Sequence, residues 1–270
     1  MRDKQSCHCR IDTGCLRQAL SWANNNYYCR CYSSLIIEKI QMRKIGLLGG
    51  LSWVSTLDYY RHINEGVNAE LGGLNFAECV LYSLNFNEIQ RYGWDDWERT
   101  YAVLLNGCSH LKAAGAEAIV LCANTAHVVA DRLEAAVGLP IIHIATVTAR
   151  EISQQRIPTI GLIGTKFTME LPFFRDKLHQ YGIETLIPEQ QEARNFIQQT
   201  LKDELGRGII STATRVAYLE IIQQLINRGA VGIVFGCTEI PLLLSQTDVS
   251  VPIFDTTRIH AHAAVEFALS

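Results

Sequence analysis

Two cysteines stand directly behind short apolar runs, at places where a thiol could exchange a proton with a ligand. Cys122 ends "GAEAIVLC" and Cys237 ends "GAVGIVFGC". Each is followed by a polar stretch that can open a helix, "ANTAH" and "TEIPLLL". Exposed backbone N–H groups at such a turn stabilise anions. We therefore expect them to lower the thiol pKa from its ordinary value of about 8.5 toward neutrality and to hold a carboxylate.

Two thiols on opposite sides of one carbon atom could invert its configuration. One thiolate would remove a proton from one face, and the opposite thiol would return a proton to the other face, which is general acid–base catalysis. Because an amino-acid α-proton is very weakly acidic, positioning and electrostatic stabilisation of the carbanion would supply most of the barrier reduction. A single cysteine at a strand end is more often a small buried hydrophobe. Two cysteines at matching positions favour a catalytic role over a purely structural one.

The chain contains the same pattern twice. "KIGLLGG" and "TIGLIGT" are both apolar runs that end in a glycine-rich turn, as expected of a buried parallel strand that leads into a loop. Gly46 precedes Cys122 by 76 positions, and Gly161 precedes Cys237 by the same 76 positions. A Pro-led strand pattern follows each cysteine, "LPIIHI" and then "VPIFDT". Order, residue type and spacing therefore indicate an internal duplication.

The duplication predicts two homologous, pseudo-symmetric lobes, residues 42–152 and residues 153–270. Strand patterns alternate with amphipathic helical patterns in both halves, which favours an α/β fold with a parallel sheet flanked by helices in each lobe. In such sheets, ligands bind beyond the carboxyl ends of the strands. We therefore expect the active site in the cleft between the lobes. We also expect that the C-terminal helix can pack back on the first lobe.

The overall composition excludes several classes of partner. The chain has 270 residues, of which 48% are hydrophobic and 19% are charged, and its formal net charge is −3. This weak negative charge provides no electrostatic basis for binding nucleic acid or a membrane surface. No apolar run reaches the roughly 18–20 residues that a membrane helix needs. The expected partner is a small molecule.

Five of the nine cysteines are concentrated in the first 31 residues. The four in the main body form no disulfide framework and suit a reducing compartment, so we expect a cytoplasmic protein. Cys7, Cys9, Cys29 and Cys31 could be considered as zinc ligands, but their C-x-C spacing is tighter than that of ordinary zinc sites. We interpret residues 1–41 as an N-terminal extension of uncertain structure and expect no metal site.

Three motifs resemble the cofactor-independent aspartate/glutamate racemase superfamily: "IGLLGG", "LCANTAH" and "GCTEIP", in this order. The resemblance covers about residues 42–270 and implies that Cys122 and Cys237 are the catalytic thiols of an amino-acid racemase that needs neither metal nor pyridoxal phosphate. It points to the aspartate racemase branch, which includes broader amino-acid racemases. Glutamate racemases typically have an Asp-Ser pair where this chain has "GGLS", and a His where it has Glu239. The implied substrate is aspartate, and the implied assembly is a homodimer.

The resemblance also implies residues that contact the substrate. Asn124, Thr125 and Thr238 would help bind its α-carboxylate and amino group, partly through backbone N–H groups. The glycines of "GLLGGLS" would let backbone N–H groups approach a carboxylate. The substrate-binding candidates are Gly50, Leu51, Ser52, Arg91, Ala123, Asn124, Thr125 and Thr238, and the supporting candidates are Glu204 and Glu239.

The basic residues that would bind the second carboxylate of aspartate are less well defined. Arg91, in "FNEIQRYG", falls near the expected loop of the first lobe, and a solvated surface arginine is an equal alternative. Lys166 and Lys202 are further candidates in the second lobe.

Several other functions stay open from the sequence. The architecture also suits a racemase of glutamate or other amino acids, a related isomerase or decarboxylase, or a non-catalytic small-molecule binding protein. Cys122 and His127 could form a hydrolase pair, but five positions along a helix align them poorly, and we expect His127 to line or support the site. "GLLGGLS" lacks the G-x-G-x-x-G pattern of a dinucleotide loop.

Overall fold

The computed structural model describes residues 42–91 and 96–270. The N-terminal extension and its four candidate zinc ligands lie outside the described residues, so both interpretations stay predictions. The strands, in chain order, are β1 (Ile45–Gly49), β2 (Cys79–Ser83), β3 (Ala118–Leu121), β4 (Thr159–Gly164), β5 (Glu184–Leu186), β6 (Ile233–Gly236) and β7 (Ile253–Asp255).

The helices alternate with these strands along the chain. The α-helices are α1 (Trp53–Leu71), α2 (Phe86–Gln90), α3 (Trp97–Ala113), α4 (Ala130–Val137), α5 (Ile144–Gln154), α6 (Lys166–Glu170), α7 (Pro172–Gln180), α8 (Gln191–Asp203), α9 (Thr212–Asn227), α10 (Ile240–Leu243) and α11 (Thr256–Ala268). Short 3₁₀ helices span Thr125–Val129, Leu205–Arg207 and Gln246–Asp248.

The strands form two parallel sheets. The first sheet has the order β2-β1-β3, and the second has the order β5-β4-β6-β7. The strand before Cys122 pairs with β1, and the strand before Cys237 pairs with β4. The predicted α/β class, with parallel sheets flanked by helices, is confirmed.

The inner strands are buried on both sides because helices cover both faces of each sheet. Every residue of β1, β3 and β6 is buried. One face of the first sheet packs against α1 and α11, through Tyr59 and Ala264 among others. The other face packs against α3 and α4, through Leu104 and Leu133. Such strands favour apolar side chains at every position, which explains continuous apolar runs in place of alternation.

The C-terminal helix α11 follows β7 of the second sheet, but it packs against α1, which follows β1 of the first sheet. Ala261, Ala264 and Val265 of α11 belong to the same apolar cluster as Tyr59 of α1. The two helices approach closely at Gly66, where an added Cβ would lie 2.8 Å from Val265 Cγ2. Helix α11 also contacts α5. The C-terminal segment therefore ties the two sheets together.

The two sheets differ in register by one residue. The repeat that places Cys237 on Cys122 predicts that Gly161 pairs with Val234, but Gly161 pairs with Ile233. A shift of one residue turns the side chains of a strand to the opposite face of its sheet. Accordingly, Cys122 packs in the cluster formed with α1 and α11, whereas Cys237 packs against the cluster formed with α8 and α9. The duplication is therefore not an exact structural repeat at the two thiols.

Three features of the described ranges bear on the kind of protein this is. None of their helices combines the length and the apolar character that crossing a membrane requires. Their cysteines, Cys79, Cys108, Cys122 and Cys237, are free thiols. Within these ranges, no group of three or more His, Cys, Asp or Glu side chains could hold a metal ion.

Candidate active site

Cys122 lies one residue beyond β3 and is held from two sides through its backbone. Its N–H donates to the Leu48 carbonyl of β1 (2.9 Å), and its carbonyl accepts from Ser55 Oγ at the start of α1 (2.9 Å). Its thiol is buried, with the Val120 carbonyl 3.8 Å from Sγ. The position of this thiol is therefore set by β1 and α1, which pack beside its own strand.

The glycine-rich turn after β1 prepares the start of α1. Gly50 has a φ of 82° and an added Cβ would lie 2.2 Å from the Leu84 carbonyl oxygen, so only glycine fits. Its N–H donates to Thr56 Oγ1 (2.9 Å). Thr56 Oγ1 accepts this N–H in the unliganded protein, so the role of Gly50 in carboxylate binding stays a prediction. Ser52 is the N-cap of α1, and Leu51, which lies between Gly50 and Ser52 in the chain, is buried.

The polar residues after Cys122 reach the carboxyl ends of strands in the other sheet. Asn124 Nδ2 lies 3.1 Å from Oγ1 of Thr256, a residue that directly follows β7. Thr125 Oγ1 lies 3.1 Å from Thr165 Oγ1, directly after β4. Both contacts join a first-sheet segment to a second-sheet segment. The carboxyl ends of the two sheets therefore meet, as the predicted placement of the site requires.

Thr165 and Thr256 were not predicted from the sequence as site residues. Each directly follows a strand, in "TIGLIGT" and in "VPIFDTT". The rule that singled out the cysteines, a polar residue just beyond a parallel strand, applies to both threonines. That signal could have identified them.

Cys237 lies one residue beyond β6 and contacts a carboxylate. Its Sγ donates to Glu239 Oε2 at 2.8 Å, and Thr238 Oγ1 donates to the same oxygen at 2.8 Å. All three residues are partly exposed, although the sulfur of Cys237 lies deep enough for burial to raise its pKa. Cys122 has a carbonyl 3.8 Å from its sulfur, whereas Cys237 has an ionisable acceptor within two residues. The two thiols therefore differ chemically as well as in register.

Glu204, the other supporting candidate, lies near the same group of side chains but has a different partner. Its Oε2 accepts from Thr214 Oγ1 at 2.5 Å. The pKa of the buried Tyr218 is raised, chiefly by burial and then by the charges of Cys237, Glu204 and Glu239. The four groups thus lie near enough to interact electrostatically, and the carboxylate that accepts from the thiol belongs to Glu239.

Burial raises the pKa of both candidate catalytic thiols, so the expected lowering is wrong for the unliganded protein. For Cys122, burial is the main cause, and the nearby Cys79 adds to it. For Cys237, burial is again the main cause, followed by the charge of Glu239 and its hydrogen bond. The Thr238 and Glu239 N–H groups act in the predicted direction but are outweighed. The free-energy cost of desolvating the thiolate exceeds the stabilisation that these two hydrogen-bond donors provide.

The basic candidates occupy different parts of the molecule. Arg91 is exposed at the carboxyl end of α2, next to residues 92–95, which lie outside the described ranges. Lys166 is partly buried and directly follows Thr165, at the carboxyl end of β4. Lys202 is exposed in the last turn of α8. Of the three, Lys166 lies nearest in sequence to a residue that joins the two sheets.

Comparison with known proteins identifies the family of this chain. The sequence profile described as Asp/Glu/Hydantoin racemase matches residues 48–264. That match includes both candidate thiols and the residues that join the two sheets.

The chain belongs to the Asp/Glu/hydantoin racemase family. The resemblance predicted from three short motifs is confirmed, and so is the predicted enzyme class, an isomerase of the amino-acid racemase type, since the named relatives are amino-acid racemases.

Three relatives illustrate this membership. The broad-specificity amino-acid racemase of Bacillus subtilis is 23% identical over 232 residues, which cover 84% of this chain and 98% of that protein. A crystal structure from Yersinia pestis, provisionally described as an Asp/Glu racemase, is 49% identical with a TM-score of 0.80 and covers 85% of this chain and 100% of that one. An aspartate racemase homologue from Pyrococcus horikoshii is 32% identical, with a TM-score of 0.74 and the same coverage.

In this member of the racemase family, the loop after Cys122 rests on a buried histidine. His127 is almost fully buried in the 3₁₀ helix that follows the loop. Its Nδ1 lies 3.0 Å from the Ala123 carbonyl and 3.2 Å from the Asn124 carbonyl. Because both partners only accept, Nδ1 holds the proton. His127 therefore supports the loop by bonding to the loop's backbone carbonyls, as expected. Among the described residues, it makes no hydrogen bond to a nucleophile that would form a hydrolase pair.

Two more histidines pack around His127. Its ring centroid lies 4.9 Å from that of His143 and 5.3 Å from that of His260. His260 Nε2 donates to the Ile142 carbonyl (2.5 Å), so its Nδ1 accepts from Tyr59 Oη (2.8 Å). The Ile142 carbonyl also lies near His127 and slightly favours the charged form of that ring. The hydrogen bond that this carbonyl accepts comes from His260. The hydrogen bonds that His127 and His260 make are thus formed with both rings neutral.

Burial, the largest cause at each histidine, depresses the pKa of all three. It lowers the pKa of His127 to about 4 and that of His260 to about 3, and it also lowers that of His143. In the unfolded chain each pKa is about 6.5. Below that pH the unfolded state binds more protons than the folded state, so the stability present above pH 6.5 is lost as pH falls toward the folded values.

We expect the free energy of unfolding to fall with decreasing pH from about 6 to 4.5, by about 1.4 kcal/mol per pH unit for each buried histidine. Urea unfolding at several pH values measures this slope. His143→Asn retains a residue that caps helix α5 and removes one titrating ring, so its slope should be smaller. His262→Asn, at an exposed position on α11, is the matched control and should keep the full slope. Equal slopes in all three proteins would contradict the prediction.

Proposed function

We propose that this chain is a cofactor-independent racemase that interconverts L- and D-aspartate through Cys122 and Cys237. The main support is the arrangement of the strand ends. Each cysteine directly follows a parallel strand, and the residues after Cys122 hydrogen-bond to the strand ends of the other sheet. We infer an active site in the cleft between two lobes, residues 42–152 and 153–270, where the two thiols meet opposite faces of Cα.

The proposed reaction transfers one proton from each side. The thiolate of one cysteine takes the Cα proton, and the C–H electron pair stays on the substrate as a carbanion. The thiol of the other cysteine then donates its proton to the opposite face, which leaves that cysteine as the thiolate. The reverse direction exchanges the roles. Since the two thiols supply both the acid and the base, the proposed reaction needs neither metal nor pyridoxal phosphate.

Glu239 offers a route to the first thiolate. The raised pKa of Cys237 means that this thiol is protonated at neutral pH in the unliganded protein. Glu239 Oε2 is 2.8 Å from its sulfur and can take the proton, which forms a thiolate and a neutral carboxyl group. No proton needs to leave for solvent in this step. Cys122 lacks such a partner among the described residues and is proposed to begin this direction as the thiol.

The substrate would lie between the two strand ends. Asn124, Thr125 and Thr238, with the backbone of Ala123, are proposed to hold the α-carboxylate and amino group. Lys166 is proposed for the second carboxylate, because it follows the Thr165 contact. Arg91 is proposed as the first-lobe partner of that carboxylate. These assignments favour a short dicarboxylic amino acid.

A broader substrate range is the second candidate. It is favoured by one relative, the broad-specificity racemase, which matches over 98% of its own length. Glutamate, a related isomerase or decarboxylase reaction, and non-catalytic binding are the remaining alternatives. A binding protein would have no use for two thiols at matched strand ends.

We infer that the racemase is cytoplasmic and forms a homodimer. Four free thiols in the described residues suit a reducing compartment. The dimer is inferred from the family resemblance. The proposed boundary after residue 152 falls in the last turn of α5.

Incubation with enantiopure amino acids in D₂O tests the reaction. We expect L-aspartate to give D-aspartate deuterated at Cα, while the L-aspartate recovered early stays protiated, because separate thiols act on the two faces. Chiral chromatography and NMR measure both quantities, and D-aspartate, glutamate and alanine serve as comparisons. If no amino acid inverts or exchanges its α-proton, the racemase proposal is wrong, and the isomerase, decarboxylase and binding alternatives gain support.

A further inference from the structure

Thr256 links the segments that contain the two thiols. It is the first residue of α11, directly after β7, and it is fully buried. Its Oγ1 donates to the Phe235 carbonyl at 2.8 Å. Phe235 lies in β6, two residues before Cys237. The single proton of this hydroxyl is therefore committed to the strand that leads to the second thiol.

This commitment determines how Asn124 is oriented. Asn124 approaches the same Oγ1, at 3.1 Å. Because the hydroxyl proton is directed to Phe235, Oγ1 can only accept a hydrogen bond from Asn124. The amide must then direct Nδ2 toward Thr256, since the flipped amide would place two acceptors together. Hydrogen-bond partners thus settle an orientation that amide shape alone leaves ambiguous.

The other end of the amide is left without a partner. Asn124 is 4% exposed, and its Oδ1 is buried with no hydrogen-bond partner among the described residues. A buried acceptor without a donor is unfavourable in the unliganded state. Asn124 is two residues from Cys122, and its neighbour Thr125 contacts the other sheet. The unpaired oxygen therefore belongs to the segment between Cys122 and the contact with the other sheet, where the proposed function places the substrate.

The geometry points to Thr256 as a positioning residue that directs Asn124 Oδ1 at the α-ammonium group of the substrate. The inference rests on the proposed racemase function and goes beyond it by assigning which atom recognises the amino group and what orients that atom. An ammonium group is a strong donor next to Cα, and Oδ1 is the acceptor it needs. Thr256 would thereby select amino acids over acids that lack the amino group.

Substitution of Thr256 tests this role. Thr256→Val keeps the shape but loses the hydroxyl, and we expect KM for the amino acid to rise about tenfold to hundredfold, as for loss of a hydrogen bond to a charged group. Inhibition by succinate, which is aspartate without its amino group, should be unchanged. Thr256→Ser keeps the hydroxyl and should restore KM. Thr148→Val is the matched control, because it removes a buried hydroxyl without a partner in the described residues.

Two kinetic results would overturn the inference. One is an unchanged KM in Thr256→Val. The other is an equal rise in KM and in the succinate inhibition constant, which would indicate a general loss of site shape. Thermal unfolding of each variant shows whether the variant is folded.

A readout without turnover separates this inference from the racemase proposal. The side-chain amide protons of Asn124 should exchange slowly with solvent in wild type and Thr256→Ser, and faster in Thr256→Val, as measured by NMR. Equal exchange rates would overturn the orientation. If the rates differ but no amino acid is racemised, the orientation holds, and the ammonium assignment fails together with the proposed function.

Discussion

Cys122→Ser and Cys237→Ser proteins are each expected to lose racemase activity by about 10² to 10⁴-fold in kcat/KM, the range for removal of a general acid or base. The serine hydroxyl is close in size to the thiol but far less acidic, so it cannot form the base. Chiral chromatography with both enantiomers of aspartate measures the loss. Because the equilibrium constant between enantiomers is one, kcat/KM must fall equally in both directions in each variant.

Isotope exchange should distinguish the two variants although their kcat/KM losses are alike. In the proposed mechanism, each variant retains one thiol, which would meet one face of Cα. In D₂O, each variant should exchange the α-proton of one enantiomer with retention, and the favoured enantiomer should be opposite in the two proteins. This result would show that the thiols act from opposite faces. A merely structural role would produce no such inversion of preference.

Cys108→Ala is the matched control for these variants. Cys108 is buried in α3, in the cluster on the far face of the first sheet. Its loss should reduce stability through a small cavity while the isotope preference stays as in wild type. Wild-type activity in either serine variant would show that the two-thiol hypothesis is wrong.

Glu239→Gln is expected to lower kcat/KM about 10²-fold at pH 7 and to make it rise with pH, with a slope near one in a logarithmic plot. In the proposed mechanism, the thiol passes its proton to the carboxylate over 2.8 Å, so that a thiolate would form without loss of a proton to solvent. The amide cannot accept that proton in the same way. The Cys237 thiol must then ionise against the burial that raises its pKa.

The direction of this pH dependence is the decisive measurement. Removal of the carboxylate also removes one cause of the raised pKa of Cys237, so activity should recover at high pH. Glu220→Gln changes the net charge equally, at an exposed position on α9, and should leave the profile flat. Glu239→Asp, which retains a carboxylate, should keep the wild-type shape at lower activity. A loss in Glu239→Gln that is the same at every pH would indicate a structural role.

Much of the fold could be predicted because parallel strands covered on both faces leave an unmistakable pattern. "KIGLLGG" and "TIGLIGT" are strands β1 and β4, and both cysteines fall one residue beyond β3 and β6. The carboxyl ends of such strands are where ligands bind, so local sequence was sufficient to nominate the thiols. Spacing could not show register, since a parallel strand that is apolar at every position fits equally well when shifted by one residue.

The sequence by itself determined the α/β class, the duplication, the family and the two candidate thiols, because each depends on short segments whose residue types are read locally. Only the tertiary structure decided what surrounds those thiols. Burial reversed the expected direction of their pKa values, and Glu239 became the partner of one thiol alone. The contact of Asn124 with Thr256 spans 132 positions. Such contacts depend on how two sheets and helix α11 pack, which no local pattern specifies.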